Sequence, residues 1–195
     1  MNFMTDLESS RVHDTRDTAS RARIGHLNLR VADLDQATNF YCDVLGLTVS
    51  CYGPAFGLPT VFLAFGDYHH HVALNWVYRD SRRTASGHHG LNHFAIVYPD
   101  ELSMAKVVSR LLQHSDLIDD ARDHGTTVSV YLRDPDGNGI EIYYDRPRAH
   151  WYDPSGNLII KSEPFNVKKW LKGVLASAAA VTGRGILSQY LAVQS

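Results

Sequence analysis

His26, His93 and Glu141 stand at matched places in short strand-like segments of this chain. Two imidazoles and one carboxylate form the ligand set that holds a divalent iron on one face and leaves the opposite positions open to substrate and oxygen. If the three converge, the chain carries a metal-dependent oxygenase centre. Any one of them alone reads most simply as a hydrogen-bonded histidine or a surface glutamate. Their joint appearance at equivalent points of a repeated unit argues for the metal.

The elements that would carry them follow from periodicity. Over 24–31, Leu27, Leu29 and Val31 alternate with His26, Asn28 and Arg30, which predicts a strand with one packed and one polar face. Asp33 then precedes a helical stripe of Leu34, Ala37, Tyr41, Val44 and Leu45, and Gly46 stops it. Strands are expected over 49–52, 60–65 and 70–77. The order then recurs. A strand over 91–98 carries His93 near its start, and Pro99-Asp100-Glu101 opens a helix with Leu102, Ala105, Val108, Leu111 and Leu112 on its stripe. A connection over 113–124 follows, with a strand expected around 115–119. Strands over 128–132 and 140–144 make a hairpin about Asp134-Pro135-Asp136-Gly137-Asn138-Gly139, a dense turn signal.

Both halves thus share a β-α-β-β-β outline, a degenerate duplication in which His26 and His93 are equivalent. The predicted fold class is α+β: two βαβββ modules forming a single metal-centred open barrel or cleft. Strand parity sets Glu141 and Tyr143 against Ile140, Ile142 and Tyr144. A glutamate in so apolar a strand is costly unless paired or metal-bound. The expected organisation is an N-terminal arm over 1–22, a domain over 23–148 with modules at about 23–80 and 90–148, and a partly helical tail over 149–195. Phe165, Trp170, Leu171, Val174 and Leu175 give that tail an amphipathic spacing.

Bulk properties narrow the partners. A net charge of -2 implies neither nucleic acid nor an anionic membrane surface. The longest apolar run of the tail, 174–181, is far too short to span a bilayer. Two cysteines, Cys42 and Cys51, and no secretory signal make a disulfide framework unexpected and a cytoplasmic setting the default. Histidine clusters at His69-His70-His71 and His88-His89, which by itself says little, since histidine tracts bind metal adventitiously.

The segments His26-Leu-Asn-Leu-Arg-Val-Ala-Asp-Leu-Asp-Gln-Ala-Thr-Asn-Phe-Tyr41 and Val44-Leu-Gly-Leu-Thr-Val49 resemble the opening module of the vicinal oxygen chelate superfamily. Gly90-Leu-Asn-His-Phe-Ala-Ile96 and Asp134-Pro-Asp-Gly-Asn-Gly-Ile-Glu-Ile-Tyr143 resemble its second module. The resemblance covers about 23–148 and is closest to type I extradiol catechol dioxygenases, of the one-domain kind, since this chain has a single pair of modules. It implies Fe(II) held by His26, His93 and Glu141, with Mn(II) fitting the same set. It also implies ring cleavage of a catechol or 2,3-dihydroxybiphenyl-type diol by O2, in a homo-oligomer. Three catalytic residues are carried over: His71 at the end of the first module, with His70 a register away; His124 in Asp123-His124-Gly125; and Tyr131, ten residues before Glu141. The competing reading is a glyoxalase-type lyase or another metal-dependent enzyme of the scaffold. A lyase would use a fourth carboxylate or amide ligand, and 69–75 offers no Glu or Gln in register.

Overall fold

The apolar alternation of the first predicted strand survives as β1, Leu27–Val31, with Leu29 and Val31 buried and Asn28 and Arg30 exposed. A computed structural model describes residues 22–55, 57–78, 89–114 and 117–182. The predicted arm, apart from its last residue, Phe56 and the tail beyond 182 lie outside the described residues.

Helix α1, Leu34–Asn39, begins where Asp33 accepts a hydrogen bond from the Gln36 amide at 3.0 Å, an N-cap that satisfies a free helix donor. It widens into a π-helical turn over Phe40–Val44. Gly46, at φ 86°, then reverses the chain in a conformation that side chains resist. Three strands follow: β2 Thr48–Ala55, β3 Leu58–Ala64 and β4 Val72–Trp76. The sheet order is β1-β4-β3-β2, with β1 and β4 parallel and the others antiparallel.

The second half repeats this plan. It contains β5 Phe94–Tyr98, α2 Glu101–Leu111, β6 Ile118–Asp123, β7 Thr127–Arg133 and β8 Gly139–Asp145. Asp100 caps α2 through the Ser103 amide at 2.7 Å. The sheet order is β5-β8-β7-β6, extended by a two-residue strand β9, Glu163–Pro164, from the tail. The protein is therefore α+β, with two βαβββ units built on sheets of four and five strands and no closed barrel among the described residues.

Two details differ from the sequence reading. The strand expected around 115–119 runs instead over Ile118–Asp123, inside the region read as a connection. Its charges hid it: Asp119 pairs with Arg133 at 2.9 Å and Asp120 with Arg122 at 2.7 Å, and only Ala121 is buried. The strands expected to carry His26, His71 and His93 also start later than predicted. His26, His71 and His93 each precede a strand rather than lie within it.

The halves meet through their helical sides. Tyr98 donates to the Leu45 carbonyl at 2.8 Å, Arg110 Nε to the Val44 carbonyl at 2.9 Å, and Tyr41 to Asp134 at 2.9 Å. The Ala32 amide donates to Asp136 at 3.1 Å. One hydrophobic core runs through both halves, including Tyr41, Leu45, Leu74, Met104, Val130 and Ile142. The other faces of the two first strands, with Asn28 and Arg30 in one and Ala95 and Val97 in the other, remain exposed.

After β8 the chain makes the turn of 134–138 a second time, at 153–157. In each, an aspartate gathers the amides two and four residues on, and the asparagine side chain as well. Helix α3, Val167–Thr182, is the last element among the described residues. It is held to α2 by buried Leu171 and by Trp170 Nε1, which shares Glu101 Oε1 with the Tyr144 hydroxyl. Among the described residues no helix is long and apolar enough to cross a membrane.

Candidate active site

The β7–β8 register places Tyr131 directly opposite Glu141, and the β5–β8 register places Ala95 opposite Glu141, two residues past His93. The side chains meet accordingly. His93 Nε2 lies 3.1 Å from Glu141 Oε2, and the Tyr131 hydroxyl donates to Glu141 Oε1 at 3.2 Å. The same hydroxyl lies 2.8 Å from His124 Nε2. A continuous polar chain, His93–Glu141–Tyr131–His124, thus crosses β5, β8 and β7 to the turn after β6. It borders an open pocket of about 460 Å³ whose walls include Asn92, Arg122 and Ser162.

Burial of the ring, and then the adjacent Glu141 carboxylate, push the Tyr131 hydroxyl up to about 12. It is therefore a neutral donor near pH 7 and can place a proton against an oxygen bearing negative charge.

Gly139 makes this grouping possible. A Cβ there would collide with the Asn92 carbonyl oxygen and sit 3.1 Å from His93 Cβ. No side chain fits between the start of β8 and the segment carrying His93, so those two lie close enough for His93 to reach Glu141. Gly139→Ala is expected to cost about 1–3 kcal/mol, the scale of overpacking, and to pull His93 from Glu141. Urea denaturation measures the first effect, and an unchanged midpoint would show that the loop yields freely.

The first half presents a separate group. His26, exposed just ahead of β1, meets His70 in a tilted ring contact at a centroid distance of 4.5 Å, and His70 meets Phe62 edge-on at 5.1 Å. Burial, then the neighbouring His26, His69 and His71, hold the His70 imidazole below its ordinary range. His71 points elsewhere. Its Nδ1 accepts from the Phe65 amide at 3.2 Å, and its ring lies against Tyr68 and Phe65. The reason is the bend before β4. The strand begins at Val72, so the parity that would align His71 with Ala73 and Asn75 does not extend back to it.

Of the three residues read as metal ligands, the chain brings His93 and Glu141 together and leaves His26 with the first half. Among the described residues no three His, Cys, Asp or Glu side chains gather into a metal-holding group. The donor types suit a divalent iron, and the described residues place two of the three donors side by side. Gly139 and Ser162 were missed by sequence reasoning: the first acts by lacking a side chain, and the second reaches the pocket only through the path of the tail.

Over residues 23–142 the chain matches the profile of the Glyoxalase/Bleomycin resistance protein/Dioxygenase superfamily. The chain belongs to this superfamily. Among curated relatives it is 32% identical over 155 residues to the catechol-2,3-dioxygenase of Bacillus subtilis (strain 168), covering 76% of this chain and 51% of the relative. It is 34% identical over 128 residues to biphenyl-2,3-diol 1,2-dioxygenase 3 of Rhodococcus globerulus, covering 63% of each. The lactoylglutathione lyase of Neisseria meningitidis is similar too, at 31% identity over 129 residues, 62% of this chain and 88% of the relative. The chain thus spans about half of the first relative and under two thirds of the second. The crystal structure of a glyoxylase/bleomycin resistance protein/dioxygenase domain from Frankia sp. EAN1pec shares the fold. Its TM-score is 0.57 at 16% identity, over 66% of this chain and 96% of that one.

Proposed function

We propose that the protein is a non-haem Fe(II)-dependent extradiol dioxygenase acting on a catechol or a 2,3-dihydroxybiphenyl-type diol. The polar chain His93–Glu141–Tyr131–His124 carries this reading. It sets a neutral phenol and an imidazole beside two of the proposed metal ligands, where a diol needs one proton removed and another delivered. Tyr131 would donate to a substrate oxygen, and His124 would hold and exchange the proton of that hydroxyl. The oxygen-side role expected of His71 fits His70 better, because His70 is the ring that meets His26. Mn(II) suits the same ligand set. The diol relatives support the reading.

A lyase is the second reading, favoured by relatives of that name. It would draw a fourth ligand from β4, and the amide there is already committed. Asn75 is buried, donates to Asn28 at 2.8 Å and accepts from Thr60 at 2.7 Å.

The third ligand comes, in this proposal, from a second copy of the chain. Helical sides are used for contact within the chain, so the faces bearing His26 and His93 are free to meet those of a partner. A twofold pair built this way joins the first half of one copy to the second half of the other and makes two identical sites. The test of function is oxygen uptake by iron-loaded protein with a panel of catechols, with a yellow ring-cleavage product as the expected result. No uptake with any diol would overturn the dioxygenase reading.

A further inference from the structure

The tail beyond residue 142 falls outside the superfamily match, yet it returns to the candidate site. Trp151 Nε1 donates to the Arg146 carbonyl at 2.6 Å, and the Ile159 amide to the Trp151 carbonyl at 2.8 Å. The next residues run along β6: Asp123 pairs with Glu163 and Arg122 with Pro164. At the centre of this contact, His124 and Lys161 are joined twice. The Lys161 amide donates to the His124 carbonyl at 3.2 Å, and His124 Nδ1 lies 2.8 Å from the Lys161 carbonyl oxygen.

Independent features show that this contact is built. Gly125, at φ 82°, has no room for a side chain: a Cβ there would lie 2.6 Å from Ile159 Cγ2. The Asp123 carboxylate accepts from the Gly125 amide and from Arg146, each at 2.8 Å, and has Lys161 Nζ at 3.6 Å. Ser162, next along the tail, lines the pocket.

The chemical consequence follows from the acceptor. A carbonyl oxygen only accepts, so His124 Nδ1 must carry a proton. In the neutral ring Nε2 is then bare and faces Tyr131. The Tyr131 hydroxyl has one proton and two acceptors, His124 Nε2 at 2.8 Å and Glu141 Oε1 at 3.2 Å. The two share that proton, and the nearer takes the stronger bond.

We propose that Lys161 is a positioning residue whose main-chain carbonyl fixes His124 as the Nδ1–H tautomer and aims a bare Nε2 at Tyr131, which makes the tail a working part of the active site. The inference rests on the reading that His124 and Tyr131 face the substrate.

Nitrogen NMR of histidine-labelled full-length protein tests it. The wild type should show His124 protonated at Nδ1 and bare at Nε2. Lys161→Ala keeps the backbone contact and should keep that signature. Lys161→Pro removes the amide donor and should mix the tautomers. Gly125→Ala puts a Cβ at a strained φ against Ile159 and should do the same, whereas Ile159→Ala, which leaves Gly125 in place, should keep the wild-type signal. The Gly125 variant keeps the Lys161 amide and carbonyl, so the outcome does not hang on how Lys161→Pro folds. In the variants that mix tautomers, kcat with a catechol should fall about 10²-fold with little change in KM. An Nε2–H tautomer in the wild type, or wild-type spectra in both Lys161→Pro and Gly125→Ala, would overturn the proposal. The expected tautomers without diol turnover in any form would uphold the clamp and remove the dioxygenase reading instead.

Discussion

His26→Ala and Glu141→Ala, each inactive alone, are expected to recover activity when their subunits are mixed. The expectation follows from the division of the ligands between the halves. In a pair of chains sharing two sites, every site of either variant lacks one ligand. A mixed pair gathers both defects in one site and leaves the other with intact His26, His93 and Glu141. Random exchange makes half of the pairs mixed, so about a quarter of wild-type sites should return. Bound iron should rise to the same fraction, which gives a readout independent of turnover. Each variant alone should retain its fold, because His26 is exposed and Glu141 is half-buried and not part of the hydrophobic core. If unfolding and refolding the two together restores neither metal nor activity, the site is not shared between chains.

Tyr131→Phe should leave metal content and diol binding intact while turnover falls about 10²-fold, roughly 2.7 kcal/mol of transition-state stabilisation. Phenylalanine fills the same space against His93, whose ring lies 5.4 Å away, edge to face. What is lost is the one hydroxyl that bridges His124 and Glu141. A drop confined to kcat marks an interaction made in the transition state; a rise in KM alone would mark simple binding. Wild-type turnover in this variant would leave the superfamily scaffold without the proposed proton chemistry.

Much of this arrangement was legible in the sequence because strands have period two. The alternation around Glu141 and the turn at 134–139 put Tyr131 and Glu141 on one face of a hairpin, as the strand register has them. Asp33 and Asp100 marked helix starts by the same local chemistry that caps them in the structure. Other features were hidden for identifiable reasons. Strand β6 is polar at four of its six positions, and its charges form surface ion pairs. The choice between His70 and His71 depended on where β4 begins, and a bend leaves no mark on periodicity. Lys161 contributes a carbonyl, which every residue type possesses. Whether His26 meets His93 depends on which sides of the halves face each other, and side-chain patterns within a strand do not encode that.

The parallel pairing of first and last strands has a consequence for how the protein is made. Leu27 in β1 must wait for Val72 in β4, and Phe94 in β5 for Ile140 in β8. Neither sheet can close until its entire half has left the ribosome, and such distant pairings form slowly because a long loop must first be drawn together. His93 and Glu141 sit at the two ends of that wait, so the pair cannot come together before the closure of the second half. A nascent chain halted before β8 would expose three strands of that half with an inner position empty, the one next to both β5 and β7, and with it an open edge on which another chain could pair.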